Sequence, residues 1–172
     1  IDLVALPVWV GTLMQDYKLD AQRAGGMVTV FLVGVVLASL AFGPRFHRLS
    51  ARPWAPMAYA LAGSSFVGLA LTRDPLLMAL LHGLGGLAVG CGLSFVHGTI
   101  GRSANPHRLW ALAGLSLGVF AIAVLGGTPV LVARFGGQAL FLVFAAVMAL
   151  AALATALGFP QNAAALPTAV GE

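Results

Sequence analysis

Charged side chains are scarce in this chain of 172 residues. Lys, Arg, Asp and Glu together make up 8% of the sequence, whereas hydrophobic residues make up 60% and the mean hydropathy is +0.98. Soluble domains are about 25% charged and about 45–50% apolar. So few charges cannot cover the surface of a soluble 17.6 kDa globule. The composition therefore excludes a soluble or disordered protein and predicts an integral membrane protein.

Cysteine and the common catalytic motifs are also scarce. The single Cys91 excludes an intrachain disulfide, and the sequence contains neither HExxH, CxxC nor a Walker loop. The formal net charge of +4 is spread singly through short polar segments, which does not indicate a nucleic-acid surface. We therefore expect no enzyme activity, no metal, no cofactor and no nucleic-acid partner.

What the chain does contain is a series of long apolar runs. A bilayer core of about 30 Å requires about 20 helical residues, and five of the six runs reach that length. The first run is shorter and is typical of the second part of a helix. We therefore predict an all-α, polytopic membrane bundle over residues 1–159, with residues 160–172 as a linker or tail. The six runs are residues 1–15, 24–43, 54–72, 75–100, 109–133 and 138–159.

Basic residues in the polar loops indicate orientation, since cytoplasmic loops carry an excess of Lys and Arg. Loops 44–53 and 101–108 carry five arginines, and the opposite side carries four basic residues. This difference favours loops 44–53 and 101–108 as cytoplasmic. In the turn before the fourth run, Asp74 is the predicted N-cap and Pro75 the first helical residue.

Ionisable residues inside the apolar runs are candidate functional groups, because a charge at membrane depth is costly without a partner or a water-filled cavity. Asp2 is the one carboxylate in these runs, and His82 lies about 10 Å into the fourth. We predict that Asp2, with His82 as a second contributor, contacts a substrate or carries a proton. A structural interhelical hydrogen bond is the alternative for His82.

Glycine is abundant in the apolar runs, with 22 glycines in the chain. Small residues let membrane helices approach each other closely, so glycines at helical spacing predict packing faces. In the fifth run, residues 126–129 (Gly-Gly-Thr-Pro) predict a break or kink. The predicted packing glycines are Gly83, Gly86, Gly90, Gly114 and Gly118.

The loop between the second and third runs, residues 43–52, resembles the G-x-x-x-D-R-x-G-R-R loop of the major facilitator superfamily of secondary transporters. Gly43, Arg48 and Arg52 match that pattern, and His47 stands where the family has Asp. In the fourth run, His82-x-x-x-Gly86-x-x-x-Gly90 is similar to the family's R-x-x-x-G-x-x-x-G pattern, with His in place of Arg.

The resemblance implies that the chain is the amino-terminal six-helix half of a twelve-helix transporter. It implies a small solute as substrate, the lipid bilayer and a missing carboxy-terminal half as partners, and alternating access as the mechanism, with proton coupling expected. Gly43, His47, Arg48 and Arg52 would form a gating loop, and the bacterial inner membrane is the expected location. A non-transporting membrane scaffold and a membrane-embedded hydrolase are the alternatives.

Overall fold

The computed structural model of the chain describes residues 2–45 and 49–159, with side chains from Ala5 onward. This described part is helical throughout and contains no strand, which confirms the predicted fold class. Its six helices are α1 (Asp2–Gln15), α2 (Ala21–Phe42), α3 (Ala51–Leu71), α4 (Pro75–Gly101), α5 (Pro106–Phe135) and α6 (Gln138–Gly158).

Five of these helices, α2 to α6, are long and apolar enough to cross a membrane. Helix α1 has 14 residues and therefore extends only about 21 Å, which is less than a bilayer core. The prediction of five full spans and one short one is confirmed among the described residues.

Carboxylate caps determine where two of the helices begin. The side chain of Asp20 accepts a hydrogen bond from the backbone N–H of Arg23 at 2.7 Å, and α2 therefore starts three residues earlier than predicted. Asp74 accepts one from the N–H of Leu77 at 2.7 Å, and Pro75 opens α4. The second of these caps is the one that the sequence predicted.

Helices α2 and α4 pack backbone to backbone through glycines. A Cβ atom on Gly34 would lie 2.8 Å from the carbonyl oxygen of Gly83. Added Cβ atoms on Gly86 and Gly90 would collide with the backbones of Phe31 and Val35, respectively. Because backbone atoms cannot move aside as a flexible side chain can, this contact requires glycine.

Helix α5 differs from the sequence predictions in its glycine contacts and in its continuity. A Cβ atom on Gly114 or Gly118 would meet no other atom within 4 Å, so these glycines do not pack helix against helix within the described chain. Only Val124 and Thr128 of α5 are buried. The predicted break does not occur either, because α5 continues as a single helix through Pro129, and a kink there stays a prediction. A membrane helix tolerates proline when the helices around it compensate for the lost hydrogen bond.

An aromatic cluster holds the other five helices together. The ring of Trp9 on α1 meets Phe31 of α2, Phe66 of α3 and Phe144 of α6 edge to face, with centroid distances of 5.0 to 6.2 Å. His82 on α4 is the fifth member of the cluster, and its ring stacks on that of Trp9. Each aromatic pair of this kind contributes about 0.5–1.5 kcal/mol beyond the area it buries. The cluster is therefore the centre of the bundle.

Candidate functional site

A cleft of about 490 Å³ is lined by α1 and α5. Trp9 and Leu13 of α1 are fully buried on the side of the aromatic cluster. On the side of the cleft, Pro7 and Gln15 are exposed and Gly11 is half-buried. Its α5 wall lies around Pro129. The lining residues are Pro7, Val8, Gly11, Thr12, Gln15, Asp16, Pro129, Val132, Ala133 and Gly136.

Polar groups line one end of this cleft. The amide of Gln15 is exposed and the carboxylate of Asp16 is half-buried, and both lie where α1 ends. Thr12 uses its hydroxyl to donate to the carbonyl of Val8 at 2.7 Å. The cleft can therefore offer acceptors, and one amide donor, to a polar or cationic solute.

The end of α1 is held in place by contacts from two other turns. Arg73, which follows α3, donates through Nη1 to the carbonyl of Asp16 at 3.2 Å and lies 5.4 Å from the centroid of the Tyr17 ring. The Tyr17 hydroxyl donates to the carbonyl of Leu69 at 3.4 Å. On the other side, a Cβ on Gly137 would lie 2.7 Å from the Cβ of Asp16. Asp16 is therefore fixed at the mouth of the cleft.

The environment of Tyr17 changes its acidity. Burial raises the pKa of the Tyr17 phenol above its ordinary value, the Arg73 guanidinium opposes that rise, and the Asp16 carboxylate adds to it. Sequence reasoning missed this arrangement, since Tyr17 and Arg73 lie in two separate turns and no spacing rule relates them. The one available signal was their shared position on the same side of the membrane.

His82 lies in the aromatic cluster and not in the cleft. Its Nδ1 is 2.7 Å from the carbonyl oxygen of Met78, and a carbonyl only accepts, so Nδ1 carries the proton of that bond. Its ring stacks on that of Trp9. His82 Nε2 and Trp9 Nε1 are both buried without a hydrogen-bond partner among the described residues. An unpaired buried polar atom costs about 1–3 kcal/mol.

The comparison with known families agrees with this architecture. A family model described as Major Facilitator Superfamily matches residues 2–171. The chain belongs to the major facilitator superfamily. No curated protein and no solved structure matches it. The resemblance inferred from the loop and from α4 is therefore confirmed, and this superfamily member is an integral membrane protein of a family that moves small solutes across the bilayer.

The other candidate residues of this superfamily protein lie apart from the cleft mouth. Asp2 is the first residue of α1, about 20 Å along the helix from Gln15, and its side chain falls outside the described residues. About 10 Å separates it along α1 from Trp9, the ring that stacks on His82. Asp2 therefore lies on α1, and His82 contacts α1 through Trp9, but neither residue lies at the mouth of the cleft.

Part of the superfamily loop is described. Gly43 ends α2, and its N–H donates to the carbonyl of Ser39 at 2.9 Å. Arg52 is exposed in the first turn of α3. His47 and Arg48 lie outside the described residues. The gating role of this loop stays a prediction. Within the residues that the structure describes, no group of three His, Cys, Asp or Glu side chains is placed to hold a metal ion.

Proposed function

We propose that this chain is the amino-terminal six-helix half of a proton-coupled transporter, and that the α1–α5 cleft faces the solute. The observation that carries the proposal is the division of α1 into two faces. One face is closed by the aromatic cluster, and the other lines an open cleft that ends in Gln15 and Asp16. In superfamily transporters the two halves enclose the site and rock around it.

The exposure of α5 supports a second half as partner. Most of its large apolar side chains are exposed, with Ile122 77% exposed and Leu115 67% exposed. The glycines at 114 and 118 leave that surface smooth, which suits a helix that moves against another helix. We propose that a carboxy-terminal half covers part of this face.

Asp2 is the proposed proton-coupling group. A lone carboxylate at membrane depth is tolerated when a water-filled cavity solvates it or when it binds a proton. A proton-coupled carrier needs both conditions in turn, because the same group must load and release the proton. We propose that His82 contributes by holding α1 in place through its stack on Trp9.

The gating loop is proposed to act at the cytoplasmic end of the bundle. Gly43, His47, Arg48 and Arg52 would hold that side closed, with the guanidinium groups pairing with helix carbonyls or with an acidic group of a neighbouring helix. His47 replaces the family's Asp, so a carboxylate from elsewhere would have to complete the pairing. We place the protein in a bacterial inner membrane with this loop inside.

Solute-driven proton movement tests the proposed function. The full-length protein is reconstituted into vesicles that contain a pH indicator, and a panel of amines, sugars and organic acids is applied. A substrate should acidify or alkalinise the vesicle interior, and Asp2→Asn should abolish that signal and uphill accumulation while sparing solute exchange. Asp20→Asn is the matched control, since it removes a carboxylate outside the apolar runs and keeps the helix cap.

The outcomes separate the alternatives. A normal pH-driven accumulation by Asp2→Asn would show that this carboxylate is structural. A complete absence of solute flux would favour the scaffold. The scaffold would have to rely on Gly114 and Gly118, because Gly86 and Gly90 already pack inside the chain.

A further inference from the structure

The α1–α5 cleft carries a negative charge at one end and apolar side chains along much of the rest. Its lining on α1 extends from Pro7 to Asp16, a distance of about 14 Å along the helix. Asp16 is the one ionisable residue among the described residues that line it. Away from Asp16, the walls include the side chains of Val8 on α1 and of Val132 and Ala133 on α5. The cleft therefore combines apolar walls with a single carboxylate.

The carboxylate of Asp16 has no ion pair among the described residues, where the one ion pair joins Arg23 to Asp20 at 3.4 Å. Arg73 does not neutralise it by direct contact. The Arg73 guanidinium donates to the backbone carbonyl of Asp16 and lies over the ring of Tyr17. Asp16 is also half-buried, so its charge is screened less by water than that of an exposed residue. The carboxylate is therefore available to a cation that enters the cleft.

The other polar groups at this end do not oppose a cation from within the cleft. Lys18 and Arg134 are close along the chain to lining residues, but both are exposed and neither lines the cleft. Gln15 does line it, and its amide oxygen is an acceptor. A protonated amine carries only donors, so Gln15 and Asp16 together suit it better than they suit an anion.

We propose that this cleft binds an amphipathic organic cation, with a protonated amine at Asp16 and an apolar body against Val8, Val132 and Ala133. The inference rests on the proposed function, because it names the class of solute for the cleft proposed there to face the solute. The volume of about 490 Å³ is in the range of small-molecule sites. A sugar would place hydroxyl groups against apolar walls, and an organic acid would place its charge beside that of Asp16.

Three probes that share one apolar body test the charge preference. They are 4-phenylbutylamine, 4-phenylbutan-1-ol and 4-phenylbutyrate, which are cationic, neutral and anionic at neutral pH. Equilibrium dialysis against the full-length protein in detergent measures binding without a pH gradient, and micelles without protein correct for partitioning. The amine should bind about fivefold more tightly than the alcohol, as expected for one partly exposed charge pair. The acid should bind more weakly than both.

Substitution of Asp16 should remove the preference for the amine. Asp16→Asn should make the affinities of the amine and the alcohol equal, and an unchanged affinity for the alcohol shows that the variant is folded. Asp16→Glu keeps the charge and should keep the preference. Asp20→Asn is the matched control, because Asp20 lies four residues away, pairs with Arg23 and does not line the cleft.

A leucine at Gly11 tests the apolar part of the cleft. Gly11 lines the cleft, and a Cβ atom there would meet no atom of another helix within 4 Å, so Gly11→Leu should fold and fill the space. It should weaken the binding of the amine and of the alcohol alike, by about tenfold. Gly126→Leu on α5 is the matched control, since Gly126 is equally open but does not line the cleft.

Three results would overturn the proposal: equal affinities for the amine and the alcohol, a preference for the amine that survives in Asp16→Asn, or tightest binding of 4-phenylbutyrate. The last would show that the basic residues around the cleft outweigh Asp16. Failure of the proposed function looks different. Amine binding without any solute-driven proton movement would contradict proton-coupled transport and leave the cation site intact. Proton-coupled flux of sugars or organic acids alone would support transport and overturn the cation site.

Discussion

The indole ring of Trp9 and the imidazole ring of His82 stack at the centre of the bundle, with centroids 5.5 Å apart and planes 22° from parallel. Both side chains are fully buried, and they join α1, which has few other contacts with α4, to the helix that carries the superfamily glycines. This pair therefore helps to position α1, which forms one wall of the α1–α5 cleft.

We therefore expect His82→Phe and His82→Ala to differ. Phenylalanine keeps a stacked ring and removes the unpaired Nε2, so the loss of the bond to Met78 should cost at most about 1 kcal/mol. Alanine leaves a cavity and should cost about 3 kcal/mol. Thermal unfolding in detergent measures both. If His82 instead carries the coupled proton, His82→Phe will fold normally but lose pH-driven accumulation.

Gly86→Ala should destabilise the bundle by about 2–3 kcal/mol, because its Cβ would collide with the backbone of Phe31 and force α2 and α4 apart. Gly114→Ala is the matched control. It meets nothing within 4 Å and improves helix propensity, so it should be neutral or stabilise this chain by up to about 1 kcal/mol. Similar melting temperatures for the two variants would contradict the observed α2–α4 contact.

Removal of Arg73 should raise the pKa of Tyr17 further. The Arg73 guanidinium is the one charge identified as lowering that pKa, so Arg73→Gln leaves burial and Asp16 to act together. Absorbance titration of the phenol in a Tyr59→Phe background measures the change. An unaltered Tyr17 titration would mean that the two side chains do not interact in solution.

The raised pKa of Tyr17 also makes the free energy of unfolding depend on pH. An unfolded tyrosine ionises near pH 10, whereas the folded Tyr17 holds its proton to a higher pH. The stability that Tyr17 contributes is therefore fully present below about pH 10 and is lost as the pH rises through the raised pKa of the folded state. Tyr17→Phe should remove this alkaline loss, and unfolding measured at a series of alkaline pH values checks it.

Arg48→Ala should slow transport and leave equilibrium solute binding nearly unchanged, if the loop acts in gating. The reason is that a guanidinium at a helix end stabilises one conformation of the transporter and does not contact the solute. Transport rate and binding affinity are measured on the same full-length preparation. A parallel loss of affinity would argue instead for a role in the solute site.

Local and compositional features of this protein followed from its sequence. The scarcity of charge and the length of the apolar runs predicted membrane helices, because a chain in lipid must satisfy its backbone hydrogen bonds within each helix. The cap at Asp74 could be predicted because its hydrogen-bond partner, the N–H of Leu77, is only three residues away. The family loop was recognised from Gly43, Arg48 and Arg52 because its spacing is local.

The tertiary structure decided which of several similar sequence patterns form contacts between helices. Gly86 with Gly90 and Gly114 with Gly118 have the same spacing, yet only the first pair lies against another helix. Trp9 meets His82, and Arg73 meets Asp16 and Tyr17, across long stretches of chain. A helix presents several possible faces, and sequence periodicity does not say which neighbour each face meets. That choice is made by the packing of all six helices together, and it placed the cleft between α1 and α5.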